Sequence, residues 1–313
     1  MADKRLDIVG LGEPLLEFSQ IEKAPPRFAM GFGGDTSNCV IAAARQGANT
    51  GYVTGIGDDQ FGQMFLDLWR HEGVDTTGVM IDPSAPTGIY FITHDDEGHH
   101  FSYRRAGSAA SRMGPSRLPK ALLQETRLLH ISAISQAISA EACDGVFEAI
   151  DIVHSAGGLI AYDTNLRLSL WNLPRARAII TETVGLADII LPGLDDVRQI
   201  FGLDSPDAIT DRLLSLGAKI IGLTLGAEGA MLATPDRRQI IEGFPVETVD
   251  ATGAGDTFDG TFLAQYLQYG DPFAAGRFAN AAAALSTQGY GAVDPIPDQE
   301  AVTRFLAARD AQR

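Results

Sequence analysis

Residues 250–258 read Asp-Ala-Thr-Gly-Ala-Gly-Asp-Thr-Phe, a glycine-rich turn that ends in an acid beside an apolar helical pattern. The preceding stretch Phe244–Val249 alternates like a strand, and apolar residues recur at helical spacing through 258–267. We therefore expect Asp256 about where a helix begins. Unpaired N–H groups at a helix N-terminus bind anions, and glycines allow the backbone to approach them closely. The stretch has the features of a phosphoryl-transfer site.

A purely structural role would also explain this turn, because Asp is a common N-cap residue and glycine is common in turns. The length and order of the pattern favour function, as does a second motif far upstream. Residues 31–38 read Gly-Phe-Gly-Gly-Asp-Thr-Ser-Asn and lead into a predicted apolar helix from Cys39 to Arg45. Residues 55–62 follow with Gly-Ile-Gly-Asp-Asp-Gln-Phe-Gly.

Taken together, these segments resemble the two signatures of the ribokinase-like sugar kinases of the phosphofructokinase B type. The resemblance covers essentially the whole chain, with the motifs in the family's order and spacing. It implies an α/β fold with a mostly parallel central sheet flanked by helices and a small antiparallel β lid. It also implies ATP and Mg²⁺ as cofactors and a possible requirement for a monovalent cation near the loops at 250 and 289–294.

The alternation of strand-like and helical segments independently predicts a mostly parallel sheet covered on both faces. The predicted buried strands are Ile8–Leu11, Leu128–Ile131, Leu159–Tyr162, Ile189–Leu191 and Ile220–Leu225, with helices such as Ala140–Ala156 between them. Segments with a period of two and no intervening helix predict the lid, formed from about 13–32 and 87–107: Leu15–Ser19, Gly88–Thr93 and His100–Arg104. No linker or repeat divides the chain, so we expect one kinase domain over 1–313.

The composition predicts a soluble enzyme that binds neither nucleic acid nor anionic membrane, because 24 basic and 40 acidic side chains give a net charge of −16. The two cysteines, Cys39 and Cys143, lie far apart and exclude a disulfide framework. The first residues lead directly into the strand-like Leu6–Leu11, so we expect no export signal and a cytoplasmic location.

A polar stretch at 95–100 is interpreted as a hairpin turn between two lid strands. His94, His99 and His100 with the neighbouring carboxylates suggest a metal site as an alternative, but a solvated loop is favoured. Open lid edges commonly find a partner, so we also expect a homo-oligomer.

Two arginines follow predicted strands at places where they can meet a substrate. Arg105 follows a lid strand in Tyr103-Arg-Arg-Ala-Gly-Ser-Ala-Ala, and Arg167 ends Asp-Thr-Asn-Leu-Arg after a core strand. Arginine donates two parallel charged hydrogen bonds to carboxylates and phosphates, so the pair suits a sugar acid. A surface ion pair for Arg105 and a backbone contact for Arg167 remain the structural alternatives.

Within the family, these segments and the Gly-Gly-Asp-Thr-x-Asn version of the first signature resemble 2-keto-3-deoxygluconate kinases. That resemblance implies that Gly34 and Asn38 hold the sugar end. It places four side chains at the keto-acid end: Tyr90, Tyr103, Arg105 and Arg167.

The resemblance also implies a nucleotide side, on which a strand and tight turn at Thr224–Gly229 let ATP lie against the backbone. An ordinary hairpin is the alternative. The implied nucleotide residues are Asn165, Thr224, Gly226, Gly229, Gly253, Gly255 and Asn280. Neither a Walker phosphate loop nor a complete Gly-x-Gly-x-x-Gly fingerprint occurs, so a dinucleotide dehydrogenase fits poorly.

Two departures from the family pattern concern the metal and the nucleotide. Where many relatives have Asn and Glu near Mg²⁺, this chain has Gly193 and either Asp195 or Asp196, so the metal ligands stay unassigned. Thr224 stands where many relatives have a basic residue.

The expected mechanism is in-line transfer of the ATP γ-phosphoryl group to a primary hydroxyl, with Asp256 accepting the proton. The backbone amides of Gly253, Ala254, Gly255 and Asp256 are expected to stabilise the transferring group. Three functions remain open: a sugar-acid kinase, a neutral-sugar or nucleoside kinase of the same fold, and a sugar-sensing protein without turnover.

Overall fold

The computed structural model describes residues 5–23, 25–95 and 98–311. The strands of the described residues are β1 (Leu6–Leu11), β2 (Leu15–Lys23), β3 (Pro26–Gly33), β4 (Thr50–Gly57), β5 (Val79–Asp82), β6 (Gly88–Asp95), β7 (Gly98–Arg104), β8 (Thr126–Ser132), β9 (Leu159–Asp163), β10 (Ile189–Ile190), β11 (Ile220–Thr224), β12 (Gly229–Ala233) and β13 (Arg238–Glu242). The α-helices are α1 (Asp35–Arg45), α2 (Gln60–His71), α3 (Lys120–Gln124), α4 (Ala133–Ala137), α5 (Ala140–Ser155), α6 (Leu173–Leu186), α7 (Leu194–Phe201), α8 (Pro206–Leu216), α9 (Ala254–Tyr269), α10 (Pro272–Ser286) and α11 (Gln299–Asp310).

The predicted central sheet is confirmed as a nine-stranded sheet in the order β13-β12-β11-β10-β9-β8-β1-β4-β5. Neighbours from β5 to β11 pair in parallel, whereas β12 and β13 add an antiparallel edge. The carboxyl ends of the parallel strands therefore meet along one edge of the sheet, where ligands bind in α/β folds.

Both faces of this sheet are buried, which explains the continuous apolar character of its strands. Along β1, Val9 and Leu11 belong to the apolar core on one face and Ile8 to the core on the other. Helix α5 covers the first face, and α1 and α9 cover the second.

The lid is a second, four-stranded sheet in the order β3-β2-β6-β7. Its two hairpins, β2–β3 and β6–β7, are antiparallel as predicted, and they join through a parallel pairing of β2 with β6. The parallel pairing arises because β2 and β6 both leave the carboxyl edge of the large sheet, after β1 and β5 respectively. The lid therefore lies over the edge where ligands bind.

Helices α1 and α9 approach each other at Gly260. A Cβ atom there would overlap the carbonyl oxygen of Cys39 in α1 and lie 2.8 Å from the Cβ of Ala42. Only glycine permits this contact without movement of a backbone. The close packing brings the first turns of the two helices together.

Two sequence predictions of local structure are wrong. Residues 244–249 form no strand, because the Phe244 ring packs edge-on against Phe305 of α11 and Pro245 lacks an N–H group for pairing. Helix α1 begins at Asp35, not at Cys39, since its first turn carries polar residues that hide the apolar period.

Much of the predicted polar turn at 95–100 lies outside the described residues, including residues 96–97 and the side chains of His94 and His99. Within the described part of the chain, no helix is long and apolar enough to cross a membrane.

We predict that Gly260→Ala destabilises the protein by about 3 kcal/mol or more, because the added methyl group meets a backbone carbonyl that cannot yield locally. The matched control is Gly185→Ala on the exposed side of α6, where the nearest atom is 3.4 Å away. There the better helix propensity of alanine is expected to stabilise by about 0.5–1 kcal/mol. Denaturant unfolding of both variants checks this, and equal midpoints would refute the packing argument.

Candidate active site

A cleft of about 740 Å³ lies under the lid at the carboxyl edge of the large sheet. Its lining includes every predicted substrate residue, namely Gly34, Asn38, Tyr90, Tyr103, Arg105 and Arg167. Of the other predicted site residues, it includes Asn165, Thr224, Gly253, Gly255 and Asp256. Ala254, Gly226, Gly229 and Asn280 are not part of this lining. The sequence motifs therefore converge on one cavity.

The turn before α9 presents free backbone donors to this cleft. Gly253 adopts a left-handed conformation with φ of 74°, and a Cβ atom there would lie 2.9 Å from the carbonyl oxygen of Ala292. Among the described groups, none accepts a hydrogen bond from the N–H of Gly253, Gly255 or Asp256. The N–H of Ala254 instead donates to Ala251 at 3.2 Å. Three of the four predicted amides are thus available for an anion.

Asp256 lies in the first turn of α9, where it is partly buried. Its Oδ2 accepts a hydrogen bond of 2.8 Å from Nδ2 of Asn38 in the first turn of α1. Burial, and then the nearby charge of Asp35, raise the pKa of Asp256 to about 7, although Asn38 and Arg167 oppose the shift. A carboxylate with this pKa is suited to accept a proton near neutral pH.

Asp35 connects the two sides of the cleft. It begins α1, and its Oδ2 accepts hydrogen bonds from the Ser132 hydroxyl and, at 3.4 Å, from the amide of Asn165. Asn165, predicted on the nucleotide side, is therefore oriented by Asp35. The sequence analysis did not single out Asp35, although it lies inside the quoted Gly31–Asn38 motif.

Asp163 and Asp259 are two further cleft acids that the sequence analysis missed. Asp259 is only 2% exposed, and none of the described groups donates a hydrogen bond to it. Burial raises the pKa of both carboxyl groups well above the ordinary value, and the charge of Asp163 raises the pKa of Asp259 further. The three-residue spacing from Asp256 to Asp259, which places both on one helix face, is a signal that could have revealed the second acid.

The lid side chains form a stack over the cleft. The Tyr90 and Tyr103 rings lie 5.6 Å apart, and the guanidinium carbon of Arg105 lies 5.4 Å from the Tyr103 ring. The Tyr90 hydroxyl donates to Glu17, and Arg105 pairs with Glu13. The ion-pair alternative for Arg105 is thus realised, but the pair is buried beside the cleft and not on the surface.

Arg167 is exposed at the edge of the cleft, and its Nη1 donates to the carbonyl oxygen of Leu166 at 2.9 Å. The backbone contact considered from sequence is therefore present. Its positive charge lowers the pKa values of Asp256 and Asp196, which shows that it faces the acids of the cleft.

Some of the predicted nucleotide residues line the cleft and others lie outside its lining. Thr224 lines the cleft, and its hydroxyl donates to the carbonyl oxygen of Pro192 at 3.3 Å. Gly226 and Gly229 turn the chain from β11 into β12, so the hairpin alternative is present. Asn280 is buried away from the cleft lining and donates to Ile241 at 2.9 Å, so in this structure it ties α10 to β13.

Asp196, not Asp195, is the acid of the 191–196 segment that faces the cleft. Asp196 accepts a 3.1 Å hydrogen bond from the N–H of Leu166, and burial raises its pKa. The Asp195 side chain is 90% exposed and pairs with Arg198. In the described part of the chain, no group of three or more His, Cys, Asp or Glu side chains is arranged to hold a metal ion.

We predict that Asp259→Asn stabilises the protein at pH 8 by about 1 kcal/mol or more, because it removes a carboxyl group that is buried without a donor. The pKa of Asp259 is higher in the folded state than in the unfolded state. Its ionisation therefore favours the unfolded state increasingly as the pH rises above the unfolded-state pKa. The difference from the wild type should therefore vanish near pH 4 and grow towards pH 8.

Thermal or denaturant unfolding between pH 4 and pH 8 measures this difference. Asp67→Asn at an exposed position of α2 is the control for the same chemical change. A stabilisation that does not vary with pH would contradict the account given for Asp259.

The described geometry agrees with comparisons to known proteins. Residues 7–299 match the model of the pfkB family of carbohydrate kinases. A 2-dehydro-3-deoxygluconokinase from Thermoproteus tenax is 32% identical over 321 residues, covering 98% of this chain and 96% of that protein. Fructokinase-1 from Oryza sativa subsp. japonica is also 32% identical over 324 residues, covering 98% and 99%.

A solved structure of a carbohydrate kinase has the same fold as this chain. The fructokinase from Vibrio cholerae O395, in a form with fructose, ADP and calcium ion bound, superimposes with a TM-score of 0.87 at 27% identity. The match covers 96% of this chain and 99% of the fructokinase. The chain therefore belongs to the pfkB family of carbohydrate kinases.

Proposed function

We propose that this carbohydrate kinase phosphorylates a sugar acid, with 2-keto-3-deoxygluconate as the acceptor and its 6-phosphate as the product. The observation that carries the proposal is the position of Arg105 and Arg167, two guanidinium groups in the lining of one cleft. An acceptor carboxylate between them would receive charged hydrogen bonds, which are about twice as strong as neutral ones. The similarity to 2-dehydro-3-deoxygluconokinases supports the same assignment.

A neutral acceptor is the second candidate, as in a fructokinase, a ribokinase or a nucleoside kinase. One observation favours it: the charge of Arg105 is compensated by Glu13 in a buried pair. Fructokinases are as similar to this chain as the sugar-acid kinases are.

In the proposed reaction, the primary hydroxyl of the acceptor lies beside Asp256, which takes its proton. The hydroxyl oxygen forms a bond to the γ-phosphorus of ATP, the bond from that phosphorus to the bridging oxygen breaks, and ADP leaves with the electron pair. The free N–H groups of Gly253, Gly255 and Asp256 hold the oxygens of the transferring group. Asn38 fixes Asp256 in place for the proton transfer.

Mg²⁺ fits the acidic lining of the cleft, where Asp196 would hold it together with phosphate oxygens and the ion would neutralise phosphate charge. Thr224 lies on the same side and would contact the nucleotide. A monovalent cation near the loops at 250 and 289–294 stays a prediction.

The cytoplasmic location and the homo-oligomer also stay predictions. Exposed apolar side chains on the lid, such as Ile21, Met30 and Phe101, are compatible with assembly through this sheet.

We predict that Asp256→Asn lowers kcat by about 10²–10⁴-fold, because the amide cannot accept the hydroxyl proton. The affinity for ATP should stay within about threefold, since phosphate binding rests on backbone amides that the substitution preserves. Release of ADP with Mg²⁺-ATP and titration with a nonhydrolysable ATP analogue measure the two quantities. Asp67→Asn serves as the surface control, and wild-type turnover in Asp256→Asn would remove Asp256 from the role of base.

We predict that Arg105→Ala lowers kcat/KM for carboxylated acceptors by about 10–100-fold, the value of a charged hydrogen bond, and changes neutral acceptors much less. The panel contains 2-keto-3-deoxygluconate, its galactonate epimer, 2-ketogluconate, fructose, ribose and adenosine. Arg112→Ala, at an arginine that pairs with Asp82 outside the cleft lining, is the matched control. An equal loss for all acceptors would sink the sugar-acid assignment and favour the neutral-sugar kinase.

A further inference from the structure

Glu13 and Arg105 form a buried ion pair beside the cleft. The Arg105 side chain is 11% exposed and that of Glu13 is fully buried, with Nη2 of Arg105 against Oε2 of Glu13. Nε and Nη2 of Arg105 are shielded from solvent on the side that faces Glu13, whereas the residue still lines the cleft. Glu13 therefore compensates the charge of Arg105 and holds the buried side of its guanidinium group.

Glu13 is fixed by the surrounding fold. It lies between β1 and β2, and its Oε1 accepts a 2.7 Å hydrogen bond from the Ser108 hydroxyl. Its carbonyl oxygen is so close to the start of α1 that a Cβ atom at Gly34 would lie 2.6 Å away. Its carboxylate packs against Gly88 in β6, where a Cβ atom would lie 3.1 Å from Oε1. The large sheet, the lid and α1 thus all restrict Glu13.

Arg105 itself has weaker restraints. It follows the last residue of β7 and takes no part in strand pairing. Its described side-chain neighbours at the cleft are the Tyr103 ring and Glu13. A buried arginine without a partner is strongly disfavoured, and an arginine side chain that is not held in place loses rotamer entropy when a ligand orders it. Without Glu13, the guanidinium is therefore expected to leave its position over the cleft.

We propose that Glu13 is a positioning residue that holds the Arg105 guanidinium group at the lining of the cleft, and that this arrangement selects carboxylated over neutral acceptors. The inference rests on the proposed function. Two effects compete, because Glu13 also weakens the Coulombic attraction of Arg105 for an anion. The positioning effect is expected to be the larger one. A preorganised donor avoids the entropy cost of ordering the arginine side chain, and charged hydrogen bonds contribute more than a partly solvated charge.

The arrangement at the other end of the stack supports this interpretation. Tyr90, stacked on Tyr103, donates its hydroxyl proton to the buried Glu17. Two buried carboxylates thus hold the two ends of the Tyr90–Tyr103–Arg105 stack. Since the Tyr90 proton is used internally, its oxygen offers only lone pairs to a ligand, which leaves the Tyr103 hydroxyl and the charged Arg105 as the donors of the stack.

A double-mutant cycle tests the proposal with four proteins: the wild type, Glu13→Gln, Arg105→Gln and the double variant. Glu13→Gln is expected to raise KM for the sugar acid about 10–100-fold, with kcat changed less than about threefold. KM for a neutral acceptor should change less than about threefold. In the Arg105→Gln background, Glu13→Gln should have no further effect, because Glu13 acts through Arg105.

The control is Asp188→Asn, which changes a buried carboxylate paired with Lys219 at the amino end of β10. It should lower the unfolding midpoint without changing KM. If Glu13→Gln does not fold, Ser108→Ala replaces it, since it removes the hydrogen bond that orients Glu13 and should raise the acid KM only when Arg105 is present.

A lower KM for the sugar acid in Glu13→Gln would overturn the proposal, because it would show that Glu13 only screens the charge of Arg105. An equal increase in this KM with Arg105 present and with Arg105→Gln would also overturn it. Failure of the proposed function gives a different result: the wild type then turns over neutral acceptors alone. In that case the cycle is measured with the preferred neutral acceptor. Coupling of Glu13 to Arg105 supports positioning, and additivity refutes it.

Discussion

The site depends on the contact between α1 and α9 at Gly260, which allows two helix N-termini to meet at one edge of the sheet. Asn38 and Asp256, 218 residues apart in sequence, form their 2.8 Å hydrogen bond only because the backbones of these helices approach closely at Gly260. The same approach aims the free amides of the α9 turn at the cleft. A single close contact in the core thereby places Asp256, which we propose as the base, beside its hydrogen-bond donor and the free amides of the turn.

The acids of this cleft are partly or fully buried close to one another, and this environment raises the pKa values of Asp163, Asp256 and Asp259. Asp35, Asp163, Asp256 and Asp259 lie together in the lining of the cleft. Burial, and then the charge of Asp35, raise the pKa of Asp256 to about 7, where a carboxylate can both take and release a proton. Burial of the acids costs stability, and the same burial gives Asp256 a pKa suited to proton transfer.

Local sequence predicted the parts of the site that depend on backbone geometry. The glycine turn at 253–255 and the start of α9 follow from short-range rules, and the family resemblance placed the substrate residues on the cleft. Contacts between distant segments escaped prediction: Glu13 pairs with Arg105 across the fold, and Asn280 bonds to β13. The alternation at 244–249 misled because it reflects packing on α11, which a period of two does not distinguish from strand pairing.

If the acceptor is a sugar acid, as we propose, its recognition by this chain must be short-ranged. The net charge of −16 repels an anion, but screening limits that repulsion to about 8 Å at physiological ionic strength. Inside the cleft, Glu13 compensates Arg105, and the acids around Asp256 add negative charge. Charge alone therefore contributes little to the attraction of a carboxylate at Arg105. Under the proposed function, selectivity at this position comes from the direction of the Arg105 hydrogen bonds, which depends on how Arg105 is held.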